Sequence, residues 1–322
     1  MHQIYAIEPE SLCDSWERFD RIFIEGMGYD KGRVMAILPR LKNWMRDAKR
    51  NSSLDQMGPV KSKSIKEKYL RRDGNEFIKR TSPVSYSNAE SGATWLEKAE
   101  VIHEKEPFKA IIAQNNPKNH PAVLRYEDIG GECAPWSVPS SGRILRNLSA
   151  ISECTELLLK QSIKVSFIDP YFCFDPRFLN VLKRNLEYLR DSPQTIESIE
   201  FNCAYNPLVW TQDQQDTFLH NLTHSIRNQK DQYLPNDSDD LAKVMSFKVW
   251  KNTTQARVHP RLILTDIGGL NIESGLDTAT ELESRTPVSR ISGVELLEWW
   301  AEYTEGTSPF NLLEEISVIE DQ

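Results

Sequence analysis

Leu12, Trp16, Phe19, Phe23 and Ile24 follow one another at three- and four-residue steps, which predicts an amphipathic helix over residues 10–27, ended by Gly26 and Gly28. Similar spacing of Val34, Ile37, Leu38, Leu41 and Trp44 predicts a second helix over 31–49, kinked or broken by Pro39 near Leu38. A third helix is expected over 93–105. Short apolar runs at 108–113 and 122–124 read as strands, separated by the loop Asn115-Asn116-Pro117-Lys118-Asn119-His120-Pro121. The polar stretch 51–64, with its Gly58-Pro59 turn signal, reads as a loop.

The second half alternates more regularly. Helices are expected over 143–160, 176–190, 211–229 and 294–303, and strands over 163–168, 198–203, 245–250, 258–265 and 270–272. Strands interleaved with helices predict an α/β fold: a mixed sheet flanked by helices. The Gly/Pro/Ser-rich stretch 130–142 is the best linker, so the expected division is an N-terminal domain over 1–135, a second domain over 143–305 and an acidic tail over 306–322. The N-terminal domain reads as the smaller one, α+β and mainly helical.

The net charge of −8 over 322 residues is unevenly spread. Residues 40–80 hold thirteen Lys/Arg against five acids, a net +8, which leaves −16 for the rest; from Gly293 onward there are eight acids and no Lys or Arg. A basic segment in an acidic protein suits a polyanionic partner, and a solvated helix face plus a loop has the same composition. Lys61, Lys63, Lys66, Lys68, Arg71 and Arg72 are the candidate nucleic-acid contacts, since little apolar material surrounds them. No apolar stretch approaches the length of a membrane span, and the first nine residues include Glu8 and no apolar signal core, so neither membrane nor secretory leader is expected. Five widely spaced cysteines without a C-x-x-C pair fit reduced thiols in a cytoplasmic protein. His220 and His224 stand four apart without a third ligand, so no metal or other cofactor is expected.

The densest chemistry lies in His259-Pro260-Arg261, followed by Asp266 and Gly268-Gly269. On a strand, Arg257, His259 and Arg261 share one face, and an imidazole beside a guanidinium suits a phosphate: the fork binds it, and the ring can attack or protonate. Asp266 can orient the histidine or cap a turn. Asp169 and Tyr171 fall at a strand's carboxyl end, where open α/β sheets place ligands, although Asp-Pro is also a common turn. Ser274 and Asp277 lie in the following loop.

His259, Arg261 and Asp266 have the H-x-(K/R)-x4-D spacing of the phospholipase-D-like superfamily, which this chain resembles; Ser274 stands where that family has its serine. Arg261 replaces the usual lysine, and Glu273 and Leu276 occupy its glycine and asparagine positions. Ile168-Asp169-Pro170-Tyr171-Phe172, Gly268-Gly269 and Gly275-Leu276-Asp277 are similar to the phospholipase-D-like domain at the C-terminus of MIT-domain proteins and its bacterial relatives, over about residues 143–303. Residues 28–33, 95–97 and 115–124 resemble N-terminal regions of prokaryotic proteins found near mobile-element and phage-defence genes.

The resemblance implies two readings. In the first, the chain is a phosphate- or nucleic-acid-binding, or subunit-binding, component of a prokaryotic multi-protein defence system with a degenerate site. In the second it is a homodimeric phosphodiesterase, a nuclease with His259 as nucleophile; two such motifs must face each other, and this chain encodes one. His259, Arg261, Asp266 and Ser274 are then the catalytic candidates, and Arg257, Asp169, Tyr171 and Asp277 the phosphate-binding ones.

Overall fold

The computed structural model describes residues 1–13, 15–38, 41–50, 58–61, 63, 77–78, 94–130, 133–205, 212–252, 258–304 and 310–319. The chain divides into two units, His2–Pro139 and Ser140–Gln322, the latter joined by Met1.

The N-terminal unit is built on a parallel five-stranded sheet. Its strands are β1 (Gln3–Ile7), β2 (Arg33–Ala36), β3 (Phe77–Ile78), β4 (Ala110–Ala113) and β5 (Val123–Arg125), in the order β3-β2-β1-β4-β5. Both faces are covered. Tyr5, Ile7, Met35, Ala110 and Ile112 pack with Phe19, Phe23 and Trp44 on one side. Ala6, Ala36, Ile111 and Ala113 pack with Leu96, Ala99 and Ile102 on the other. Alternate residues of each strand thus enter opposite cores, as the two-residue strand period requires. The helix Trp95–Lys105 starts with a capping box: the Thr94 hydroxyl accepts the Glu97 N–H, and the Glu97 carboxylate accepts that of Thr94.

This unit holds more strand than its sequence pattern suggested. The expected helix over 31–49 is instead β2 followed by the helix Leu41–Arg50. The expected helix over 10–27 is instead two short helices, Pro9–Cys13 and Trp16–Phe19, running into a π-helical turn, Asp20–Ile24.

The second unit carries a mixed eight-stranded sheet in the order β13-β9-β8-β7-β10-β11-β12-β6. Its strands are β6 (Ser141–Leu145), β7 (Lys164–Ile168), β8 (Ser198–Tyr205), β9 (Met245–Lys251), β10 (Leu262–Thr265), β11 (Gly269–Ile272), β12 (Arg285–Arg290) and β13 (Asn311–Ser317). β7, β8 and β9 are parallel, and every other pairing is antiparallel. Helices Leu148–Leu159 and Pro176–Arg190 begin on Asn147 and Asp175, whose side chains accept backbone N–H groups of the first turn. Phe167, Phe172, Phe178, Phe201 and Phe247 form an aromatic core, with ring centroids 4.2 Å apart at Phe172–Phe201. Ile168, Leu262, Leu264, Trp250 and Tyr303 form another cluster.

Three expectations need correction here. The helix expected over 143–160 begins only at Leu148, because residues 141–145 form edge strand β6. The strand expected over 258–265 begins at Leu262: Pro260 has no N–H to give to a ladder. The segment expected as an acidic tail over 306–322 supplies β13, the strand at the other edge. Among the described residues, no helix is long and apolar enough to cross a membrane.

Candidate functional site

Because β10 runs antiparallel to β7, with Leu262 opposite Ile168, the start of β10 lies beside the carboxyl end of β7. β11 pairs back on β10, with Leu262 opposite Asn271, and brings the loop after Ile272 to the same sheet end. β6 ends there too, since Leu145 pairs with Arg285 at the start of β12. Asp169, Arg261, the loop 273–278 and Arg146 therefore converge on one end of the sheet, where open sheets commonly bind ligands.

Asp169 is 1% exposed and anchors this end. One carboxylate oxygen accepts the N–H of Tyr171 at 3.0 Å and the other that of Leu276 at 2.8 Å. Burial pushes its carboxyl above the ordinary aspartate range; the two N–H groups and Arg261 pull the other way, and Asp277 adds to the rise. Gly275 makes the approach feasible. Its φ is +111°, and a Cβ there would lie 3.1 Å from both Asp169 Oδ2 and Asp277 Oδ1.

Asp277 is also buried, and two arginines answer it. Arg146 Nη2 forms an ion pair with Asp277 Oδ1, and donates to the Ser274 carbonyl at 2.9 Å, while its Nε reaches the Asp277 carbonyl at 3.3 Å. Arg177 Nη1 stands 3.7 Å from Asp277 Oδ2. These contacts fix the loop rather than leave the two cations open.

Arg261 differs. Its Nη1 donates to the Glu273 carbonyl at 2.9 Å, and its guanidinium lies 5.0 Å from the ring centroid of Tyr171. Tyr171 is 62% exposed, so this cation–π pair sits at the surface, with guanidinium donors left over. His259, two residues earlier, is exposed and makes no side-chain hydrogen bond with a described residue.

The structure thus brings Asp169, Tyr171, Arg261, Ser274 and Asp277 to one place. It does not bring Asp266. That carboxylate accepts the N–H groups of Ile163 and Lys164 at 2.9 and 3.1 Å, beyond the far end of β10, so the four strand residues, roughly 13 Å at strand rise, separate it from Arg261. Asp266 is therefore corrected from a catalytic candidate to the group that fastens the start of β7. Ser274 contributes backbone: its N–H donates to Thr286 Oγ1 and its carbonyl accepts from Arg146. Arg257, Lys66, Lys68, Arg71 and Arg72 lie outside the described residues; Lys61 and Lys63 are exposed, with Lys61 Nζ 5.8 Å from the ring centroid of Trp16.

Arg146 and Arg177 were missed by the sequence reading. Arg177 follows the N-cap Asp175 and looked like an ordinary first-turn residue; Arg146 lay in an expected helix. Among the described residues, no group of three or more His, Cys, Asp or Glu could hold a metal ion.

The sequence matches no family model, and no curated protein is similar to it. Among solved structures, the chain is similar to TrmBL2, an archaeal chromatin protein whose structure is described as showing a novel mode of DNA binding. The identity is 10% and the TM-score 0.25, over 55% of this chain and 56% of that one, so this chain spans just over half of that protein's length. A likeness so slight transfers neither fold nor DNA binding.

Proposed function

We propose that the second unit binds phosphate groups at Arg261, and that the chain is a nucleic-acid- or subunit-binding component of a prokaryotic multi-protein system rather than a phosphodiesterase. The observation that supports this reading is the Arg261 guanidinium, fixed by the Glu273 carbonyl and Tyr171 but still presenting donors at the exposed end of the sheet. A fixed planar fork favours phosphate oxygens. Asp169 and Asp277 are occupied in holding the loop, and no carboxylate among the described residues orients His259, as a histidine base or nucleophile ordinarily needs.

Anisotropy of a labelled single-stranded oligonucleotide tests this. Arg261→Ala is expected to weaken binding about ten-fold, in line with one or two charge-assisted hydrogen bonds, and affinity should fall steeply with salt. Unchanged affinity in Arg261→Ala would remove the site. The nuclease reading is favoured by one feature, the exposure of His259, two residues before Arg261 in the chain. Oligonucleotide cleavage that His259→Ala abolishes would establish it in place of the binding role.

A further inference from the structure

A second cationic pocket lies in the N-terminal unit, lined by Arg21, Arg33, Ile129, Gly130 and Trp136 around a cavity of about 440 Å³. Arg33, the first residue of β2, is half-buried. Its Nε donates to the Trp136 carbonyl at 2.7 Å and its Nη1 to the Gly26 carbonyl at 3.0 Å. Its guanidinium carbon stacks 4.4 Å from the ring centroid of Trp136, and Tyr5 meets the same indole edge-on at 5.5 Å. The seat is specific: a Cβ on Gly26 would come within 2.6 Å of the Trp136 ring, so the indole reaches this position only against a glycine. No carboxylate among the described residues pairs with Arg33 or Arg21. A half-buried cation such as Arg33 ordinarily has an anionic partner, and here it lines an open cavity together with the exposed Arg21.

We propose that Arg33 and Arg21 form a phosphate-binding site, separate from Arg261, that takes the phosphate group of a nucleotide or of a nucleic-acid backbone. The carbonyls of Trp136 and Gly26 hold the Arg33 fork rigidly, so little side-chain freedom is lost when an anion binds. Exposed Arg21 supplies the second charge. The indole serves as a platform for the Arg33 cation, with Tyr5 against it edge-on, and the charged groups at the cavity are the two guanidiniums, so recognition is of the phosphate. Burial holds the Arg33 guanidinium below its ordinary value, against the raising pull of the neighbouring Tyr5 hydroxyl.

The test uses the full chain carrying Arg261→Ala, which silences the site proposed above, and measures binding of adenosine monophosphate and of a single-stranded oligonucleotide by calorimetry. Two further substitutions probe the pocket without removing its framework. Arg21→Glu reverses an exposed charge. Gly130→Glu places a carboxylate at a lining position where an added Cβ meets nothing within 4 Å. Each is expected to weaken binding at least ten-fold with the thermal midpoint unchanged. Binding of the mononucleotide alone would identify a free phosphate ester as ligand, and binding of the oligonucleotide alone a nucleic-acid backbone. No binding of either probe by the Arg261→Ala chain, or binding that survives both pocket substitutions, would overturn the proposal while leaving the Arg261 site standing or falling on its own assay.

Discussion

The carboxylate of Asp169 accepts the backbone N–H of Leu276 across 2.8 Å, tying the end of β7 to a loop 107 residues further along the chain. Since burial raises the Asp169 carboxyl, the folded state keeps its proton to higher pH than the unfolded chain does. Its contribution to stability is therefore fully present below the ordinary aspartate value, about 4, and declines as pH rises through the raised one. Asp169→Asn removes that titration. Urea unfolding measured across the acid range should show wild type losing stability relative to Asp169→Asn as pH climbs. A relative gain would mean that the two N–H groups and Arg261 outweigh desolvation.

Gly275 is expected to tolerate no side chain. Its φ of +111° is rarely open to L residues, and the added methyl would press on Asp169 and Asp277. Gly275→Ala should cost about 2 kcal/mol or more and weaken oligonucleotide binding, because the loop that carries Glu273 must shift. Gly142→Ala is the control in the same unit: a Cβ there meets nothing within 4 Å, so its cost should stay within about 0.5 kcal/mol. Equal midpoints for the two variants would refute the packing argument.

Much of this site was readable in the chain because its residues sit in local signals: Asp169-Pro170-Tyr171 closes a strand, and Gly275-Leu276-Asp277 reads as a turn. Asp266 was misjudged because its spacing from Arg261 spans a strand, and four extended residues must carry it to the opposite end of the sheet. Arg146 and Arg177 act across 131 and 100 residues to reach Asp277, a partnership that no local pattern encodes. In the N-terminal unit, β1 and β2 are buried on both faces, so they lack the polar alternation that marks a strand. Val34, Ile37, Leu38 and Leu41 mimic helical spacing while crossing from strand to helix.

The reassignment of Asp266 carries its own test. Asp266→Ala leaves the N–H groups of Ile163 and Lys164 without their acceptor and should lower stability by about 1–3 kcal/mol. Oligonucleotide affinity, measured where the variant is fully folded, should stay within about two-fold of wild type, since additivity is expected for sites this far apart. A ten-fold loss of affinity with normal stability would return Asp266 to the binding machinery.

Lys248 and Glu200 form a secluded ion pair in the second unit, with Nζ 2.7 Å from Oε1 and side chains 10% and 18% exposed. Glu200 Oε2 is buried and has no hydrogen-bond partner among the described residues, so Lys248 alone offsets the cost of that charge. Burial already holds the Glu200 carboxyl above its ordinary value, against the lowering pull of Lys248. Lys248→Met should therefore cost about 3 kcal/mol at neutral pH, the usual result of stranding one member of a buried pair. It should also raise the Glu200 carboxyl further. The unfolded chain then ionises first as pH rises, so the penalty is small in acid and grows toward neutrality. Adding Glu200→Gln to Lys248→Met removes the stranded charge and should recover most of the loss. A penalty that is flat with pH, or a double variant no more stable than Lys248→Met alone, would show that Lys248 contributes through the packing of its methylenes and not through its charge.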